Sequence, residues 1–172
     1  MRHVRRGGRY LRVADPSWAD SLSPDYAKRQ GGRWNPPGLF GVVYLNASLS
    51  VARAQVRQKL ETRGIHPEDL ISSQGPALVH THVPENRYVD AVTIAGLRSL
   101  GLPNTYPLDE HGEPIPHDLC QPIGQRAWDS GEPGIACRSA ARTAPSAGEE
   151  LAFFARRRLQ VSKTELYANW YW

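Results

Sequence analysis

The sequence predicts a single domain of mixed α/β (α+β) class, and three observations predict it. Residues 77–83 alternate, with Ala77, Val79, Thr81 and Val83 on one face and Leu78, His80 and His82 on the other, the period of a half-buried strand. After Ser48, the apolar residues Leu49, Ala52, Val56 and Leu60 recur at three- and four-residue intervals, the period of a helix with one buried stripe. The 172 residues suffice for one hydrophobic core and are few for two, and no internal repeat or linker divides 1–172.

The elements follow in order. Residues 1–9 are rich in arginine and read as a flexible basic terminus, followed by a first strand at Tyr10 to Val13. A polar connection then leads through a short helix at Pro24 to Arg29. Gly31, Gly32, Pro36, Pro37 and Gly38 bracket Arg33-Trp34-Asn35 so closely that a shaped loop is predicted, because neither residue type suits the interior of an element. Val42 to Asn46 reads as a buried strand, and Ser48 as the N-cap of a helix that Gly64 ends. Strands are expected at Ala77 to Val83 and at Arg87 to Ala91. The proline-rich, acidic segment 101–117 reads as a surface excursion. Beyond it come a helix at Asp118 to Trp128, a short buried strand at Gly134 to Arg138 ending at Ser139, an amphipathic helix at Ala147 to Arg158 and a last strand at Thr164 to Trp172.

Composition excludes several classes. No apolar run approaches the roughly 20 residues of a membrane span, and no apolar core follows the basic N-terminus as in a secretion signal, so a cytoplasmic protein is expected. Cys120 and Cys137 lack the spacing of a zinc site, and His80 and His82 share a strand face without a third ligand, so no metal is expected. The net charge of +4 comes with arginines clustered at positions 2–12 and 156–158. Without a recognition helix or zinc knuckle these read as solvated surface, and direct nucleic-acid binding is not expected.

The segments RYLRV, GGRWNPPG, VVYLN, SLSVARAQV and GIACRSAAR together resemble the RES domain, a family named for an Arg, a Glu and a Ser. The resemblance covers nearly the whole chain. It implies a fold similar to the diphtheria-toxin type of ADP-ribosyltransferase, with antiparallel-rich sheets flanked by helices, acting on NAD as substrate with no bound cofactor. It also implies membership of a bacterial toxin–antitoxin pair, with a helix-turn-helix antitoxin of the Xre type as partner. The activities implied are NAD phosphorolysis, with phosphate as co-substrate, or hydrolysis, and in some members ADP-ribosylation of a protein target. Carried over by position, the resemblance assigns Arg12 to the first-strand arginine, Arg33 to the loop arginine, Tyr44 to the strand tyrosine and Ser139 to the serine after the glycine-led strand. The family glutamate falls on Gln55.

Chemistry gives each a role. Two arginines, Arg12 and Arg33, suit the two phosphates of NAD because each guanidinium makes parallel charge-assisted hydrogen bonds. Tyr44 either stacks on nicotinamide or simply closes the core. Trp34 and Asn35 either line the pocket or plug the core and cap the turn. Ser139 has no adjacent base and reads as a hydroxyl that orients nicotinamide or ribose rather than as a nucleophile. Breaking the nicotinamide–ribose bond builds positive charge on C1′ and O4′, so a carboxylate at position 55 would stabilise the transition state, whereas Gln55 keeps the hydrogen bond and loses the charge. Such a loss costs on the order of 3 kcal/mol, about two orders of magnitude in rate. One turn away stand Val51, Ala52, Gln58 and Lys59, none of them acidic, and Glu149 and Glu150 reach the site only if the tertiary fold brings them there. Two readings follow: an NAD-cleaving RES toxin, either one that works with Gln55 or one whose glutamate was exchanged so that a toxic protein could be produced, and a catalytically silent RES-like domain that binds NAD or a protein partner.

Overall fold

The structure, a computed structural model, describes residues 1–71 and 73–172. Strand β1 (His3–Ala14) is followed by α1 (Asp25–Gln30), β2 (Val42–Asn46), α2 (Leu49–Thr62), β3 (Ala77–Ala91), α3 (Ile94–Leu100), α4 (His117–Asp129), β4 (Gly134–Arg138), β5 (Glu149–Phe154), β6 (Val161–Glu165) and α5 (Tyr167–Trp170). The mixed α+β class is as expected.

The strands run in the order β1-β2-β5-β4-β3-β6, and β1 also pairs with β3, so five strands close on themselves, while β6 pairs with Leu78 to Thr81 of β3, away from the Val89 to Ala91 stretch that pairs with β4. The β1–β3 ladder is antiparallel from His3 opposite Val89 to Ala14 opposite Ala77, with an irregularity between Arg6 and Gly8. β5 lies between β2 and β4, antiparallel to both, while β3 and β4 run parallel. By contrast β1 and β2 touch at a single pair, Leu11 opposite Asn46.

Burial on the two faces of β5 explains the layers. Leu151 and Phe153 pack with Tyr10, Val43, Leu45, Val79 and Tyr88 on one face. Ala152 and Phe154 pack on the other with Trp34, Phe40, Leu97, Tyr106 and Ile123, beneath α3 and α4. A third cluster holds α2 and α5 against Leu11 and Leu78. Among the described residues no helix is long and apolar enough to cross a membrane.

Four expectations are corrected. Residues 3–9 are not a free tail: their backbone groups pair with β3. The two strands expected at 77–91 are one 15-residue strand. Residues 149–154 form a strand rather than part of a helix, because the run Leu151 to Phe154 is buried on both faces between two neighbours, where no helical stripe is needed. At the C-terminus, β6 ends at Glu165 and a turn of helix follows, anchored by Tyr167 and Trp170. The segment 101–117 is also less of an excursion than its composition suggests: Leu102, Tyr106 and Ile115 are buried, and Arg138 donates to the carbonyls of Asn104 (2.7 Å) and Tyr106 (3.1 Å).

Candidate active site

The loop 31–38 owes its shape to Tyr44. The hydroxyl of Tyr44, rising from β2, accepts from the Trp34 amide at 2.9 Å and donates to Asn35 Oδ1 at 2.8 Å. The Asn35 amide in turn donates to the Ala27 carbonyl at 2.7 Å. Gly32 is required here, since a Cβ would lie 2.5 Å from the Tyr44 hydroxyl. Burial pushes that hydroxyl well above the usual tyrosine range, and the Trp34 amide and Arg33 only partly oppose this, so it acts as a neutral hydrogen-bonding group.

Thus anchored, the loop presents Arg33 to a cavity of about 270 Å³, which Tyr44, Gln55, Cys137, Arg138 and Glu150 also line. Arg33 Nη1 donates to the Ile115 carbonyl at 2.8 Å, fixing the guanidinium against the 101–116 segment. Gln55 arrives from α2, whose first turn Ser48 caps by accepting from the Val51 amide at 3.3 Å. It sits at the edge of that helix's buried stripe, where Val51, Ala52, Ala54 and Val56 are covered and Gln55 itself is half-buried.

The structure therefore brings Arg33, Tyr44 and Gln55 together with Trp34 in the wall behind them, and Arg12, Asn35 and Ser139 lie outside this lining. Trp34 forms part of the cavity wall but is fully buried, its Nε1 donating to Cys137 Sγ at 3.3 Å and its ring beside Tyr106, so it serves mainly as core. Asn35 is fully buried and holds the turn rather than lining the cavity. Arg12 is outside the lining: its guanidinium donates to the Ser23 carbonyl at 3.0 Å and lies over the Trp18 ring at 5.2 Å. Burial lowers its pKa to about 10. Trp18 in turn packs against Tyr26, which reaches the cavity.

Ser139 is buried and lines a second cavity of about 650 Å³ beneath residues 105–114. The two cavities abut, sharing Arg138 and Ala140. Two others of about 450 and 590 Å³ contain none of the expected site residues.

Of the two glutamates whose arrival depended on the tertiary fold, Glu150 reaches the cavity. Its Oε1 accepts from Ser139 Oγ at 2.6 Å and from the Ala140 amide at 3.2 Å. In the sheet it lies opposite Asn46 on β2 and Cys137 on β4. The signal that locates it is the alternation of β5: Glu149 faces the side of Leu151 and Phe153, Glu150 that of Ala152 and Phe154. Among the described residues no group of three His, Cys, Asp or Glu is placed to hold a metal. His80 instead bonds Glu165 at 2.6 Å.

The RES domain pattern matches residues 9–170, and the chain belongs to the RES domain family. Among its relatives are the proteins named NAD(+) phosphorylase MbcT of Mycobacterium tuberculosis (strain ATCC 25618 / H37Rv) and of Mycobacterium bovis. Each is 31% identical over 110 residues, covering 63% of this chain. The match spans about half, 55%, of the length of those relatives. The fold is similar to that in the crystal structure of the M. tuberculosis MbcT–MbcA toxin–antitoxin complex, with a TM-score of 0.79 at 23% identity over 98% of this chain and 91% of that one.

Proposed function

We propose that this chain is a RES-type toxin that cleaves NAD at the nicotinamide–ribose bond and passes the ADP-ribosyl group to inorganic phosphate. The observation that carries the reading is the convergence of Arg33, Tyr44 and Gln55, from a loop, a strand and a helix, on one cavity. Relatives named NAD(+) phosphorylase support the choice of phosphate as acceptor. The cavity has the volume for a nicotinamide riboside end, near the lower limit of roughly 300 Å³ for small-molecule sites. The adjoining cavity beside Ser139 leaves room for the adenosine end.

In this reading the C1′–N bond breaks with its electron pair moving onto the nicotinamide nitrogen, which becomes neutral. Positive charge spreads over C1′ and O4′, and an oxygen of hydrogenphosphate closes on C1′ to give ADP-ribose 1″-phosphate. Arg33 holds the pyrophosphate with the guanidinium donors left over from its bond to Ile115. The Tyr44 ring forms a wall against nicotinamide, while its hydroxyl keeps the loop in place. Gln55 hydrogen-bonds a ribose hydroxyl. We read the ring of strands as one of the diphtheria-toxin type of ADP-ribosyltransferase, at work in the cytoplasm where NAD is abundant. The partner is a helix-turn-helix antitoxin of the Xre type seated over the cavity mouth, where Tyr26, one of the lining residues, is 54% exposed.

The test follows NAD and free nicotinamide by chromatography with and without phosphate. Phosphate-dependent release of nicotinamide is expected. Equal release without phosphate would make the enzyme a hydrolase, and label from NAD on a protein would make it a transferase. Retained NAD binding without release under every condition would overturn the enzyme reading in favour of the silent binder.

A further inference from the structure

The cavity contains one carboxylate among its described lining residues, and it is not at position 55. Gln55 provides hydrogen bonds and no charge. Glu150 reaches the same cavity from β5, the strand paired directly with the β2 that carries Tyr44. Tyr44 is opposite Ala152 and Glu150 is the next residue on that face, a diagonal neighbour about 7–8 Å away in a sheet.

We propose that Glu150 is the catalytic carboxylate of this chain, replacing from β5 the charge that Gln55 does not supply from α2. The proposal rests on the NAD-cleaving reading above. Three observations carry it beyond mere proximity. Glu150 is held in place, because Ser139 Oγ and the Ala140 amide both donate to its Oε1. Only that oxygen is hydrogen-bonded within the protein among the described residues, so Oε2 is available to a ribose hydroxyl and to the charge growing at C1′. The charge also faces inward: Cys137 lies directly opposite it on β4, and after burial the Glu150 charge is the next cause that pushes up the Cys137 thiol.

This gives Ser139 a definite part. Its hydroxyl proton is committed to Glu150 Oε1, and it acts as a positioning residue that aims the carboxylate. In the transition state Glu150 neither takes nor gives a proton. It stabilises the cationic ribose electrostatically while the leaving bond breaks, and Gln55 holds a second hydroxyl. The division of labour between two elements explains how a RES domain can retain turnover without an acid at the helix position.

The experiment compares the unaltered chain with Glu150→Gln, Gln55→Glu and the double variant Gln55→Glu/Glu150→Gln. It measures nicotinamide release at saturating NAD and phosphate, NAD affinity by calorimetry and melting temperature. Gln at 150 keeps an acceptor for Ser139 and Ala140, so a folded variant is expected. The unaltered chain should turn over, and Glu150→Gln should lower kcat about 100-fold with NAD affinity changed less than about threefold. The double variant, with the charge returned to α2, should regain at least about tenfold. Ser139→Ala, which releases the carboxylate without deleting it, should lower kcat about fivefold and leave KM nearly unchanged. Full turnover in folded Glu150→Gln would overturn the proposal and leave the NAD-cleaving reading intact. Turnover only after Gln55→Glu would also overturn it, marking a pocket that waits for its own glutamate. If neither the unaltered chain nor Gln55→Glu released nicotinamide, both readings would fall together.

Discussion

Glu149 and Glu150 are consecutive residues of one strand, and their surroundings could hardly differ more. Glu149 uses both oxygens in a fork with Arg6, at 2.7 Å to Nε and 2.9 Å to Nη2, tying β5 to β1 across the closed side of the sheet. Glu150 uses one oxygen, held by Ser139 and Ala140, at a cavity. A carboxylate with both oxygens matched by a guanidinium has its charge and one acceptor site on each oxygen taken up within the protein, which leaves it little to offer a ligand. One tethered on a single side is fixed in position and still has an acceptor to offer. The strand's two-residue period assigns the two glutamates to these different roles.

The comparison breaks first if the two variants behave alike. Glu150→Gln is expected to lower turnover about 100-fold while shifting stability by less than about 1 kcal/mol. Tyr44→Phe comes next. It deprives the Trp34 amide and the buried Asn35 Oδ1 of their shared partner, and should destabilise by about 2 kcal/mol and raise KM as the Arg33 loop loosens, read by denaturant melts and NAD titration. Glu149→Gln should do the reverse of Glu150→Gln. With side-chain exposures of 26% and 23%, the Arg6–Glu149 pair lies between surface and buried cases, so a loss of about 1 kcal/mol in stability with unchanged kcat is expected. A Glu149→Gln protein that melts normally but turns over slowly would invert the assignment of the two faces.

How much of this was legible in the sequence depended on how local the cause is. The bounds of β2 and β4, and the Ser48 cap and stripe of α2, follow from residues within a few positions of one another, and they agree with the structure. The loop around Arg33 is equally local, because glycine and proline dictate it. β5 was misread because Leu-Ala-Phe-Phe, buried on both faces, has no period, and only its pairing with β2 and β4 identifies it as a strand. Read as helix, the segment also leaves Glu150 without a place at the site, because that place depends on strand alternation and on a serine eleven positions earlier. For Arg12 the local strand reading was sound, but Trp18 and Ser23 claim its guanidinium, which sequence spacing does not reveal. Residues 3–9 appeared mobile because they are basic, whereas the length of β3 beside them supplies the partners for their backbone.

The smallest effect extends the closed side of the comparison to Asp90, on β3 within the field of Arg6. Burial by itself would raise its carboxyl, but the Thr93 hydroxyl and the amides of Thr93 and Val92 donate to it and outweigh burial, holding it below the ordinary value of 3.8. A carboxyl whose pKa is lower folded than unfolded contributes stability that is fully present above the unfolded value. That contribution is lost as the pH falls through 3.8 toward the folded value, because the unfolded chain takes up the proton first. Melting temperatures of the unaltered chain and Asp90→Asn, compared from pH 6 to pH 3, should therefore converge below about pH 4, as the unaltered chain loses an advantage that the variant never had. A gap that stays constant across that range would mean that Asp90 acts through shape alone. Its three donors would then be a turn-forming device at the start of α3 rather than part of the charged frame around Arg6.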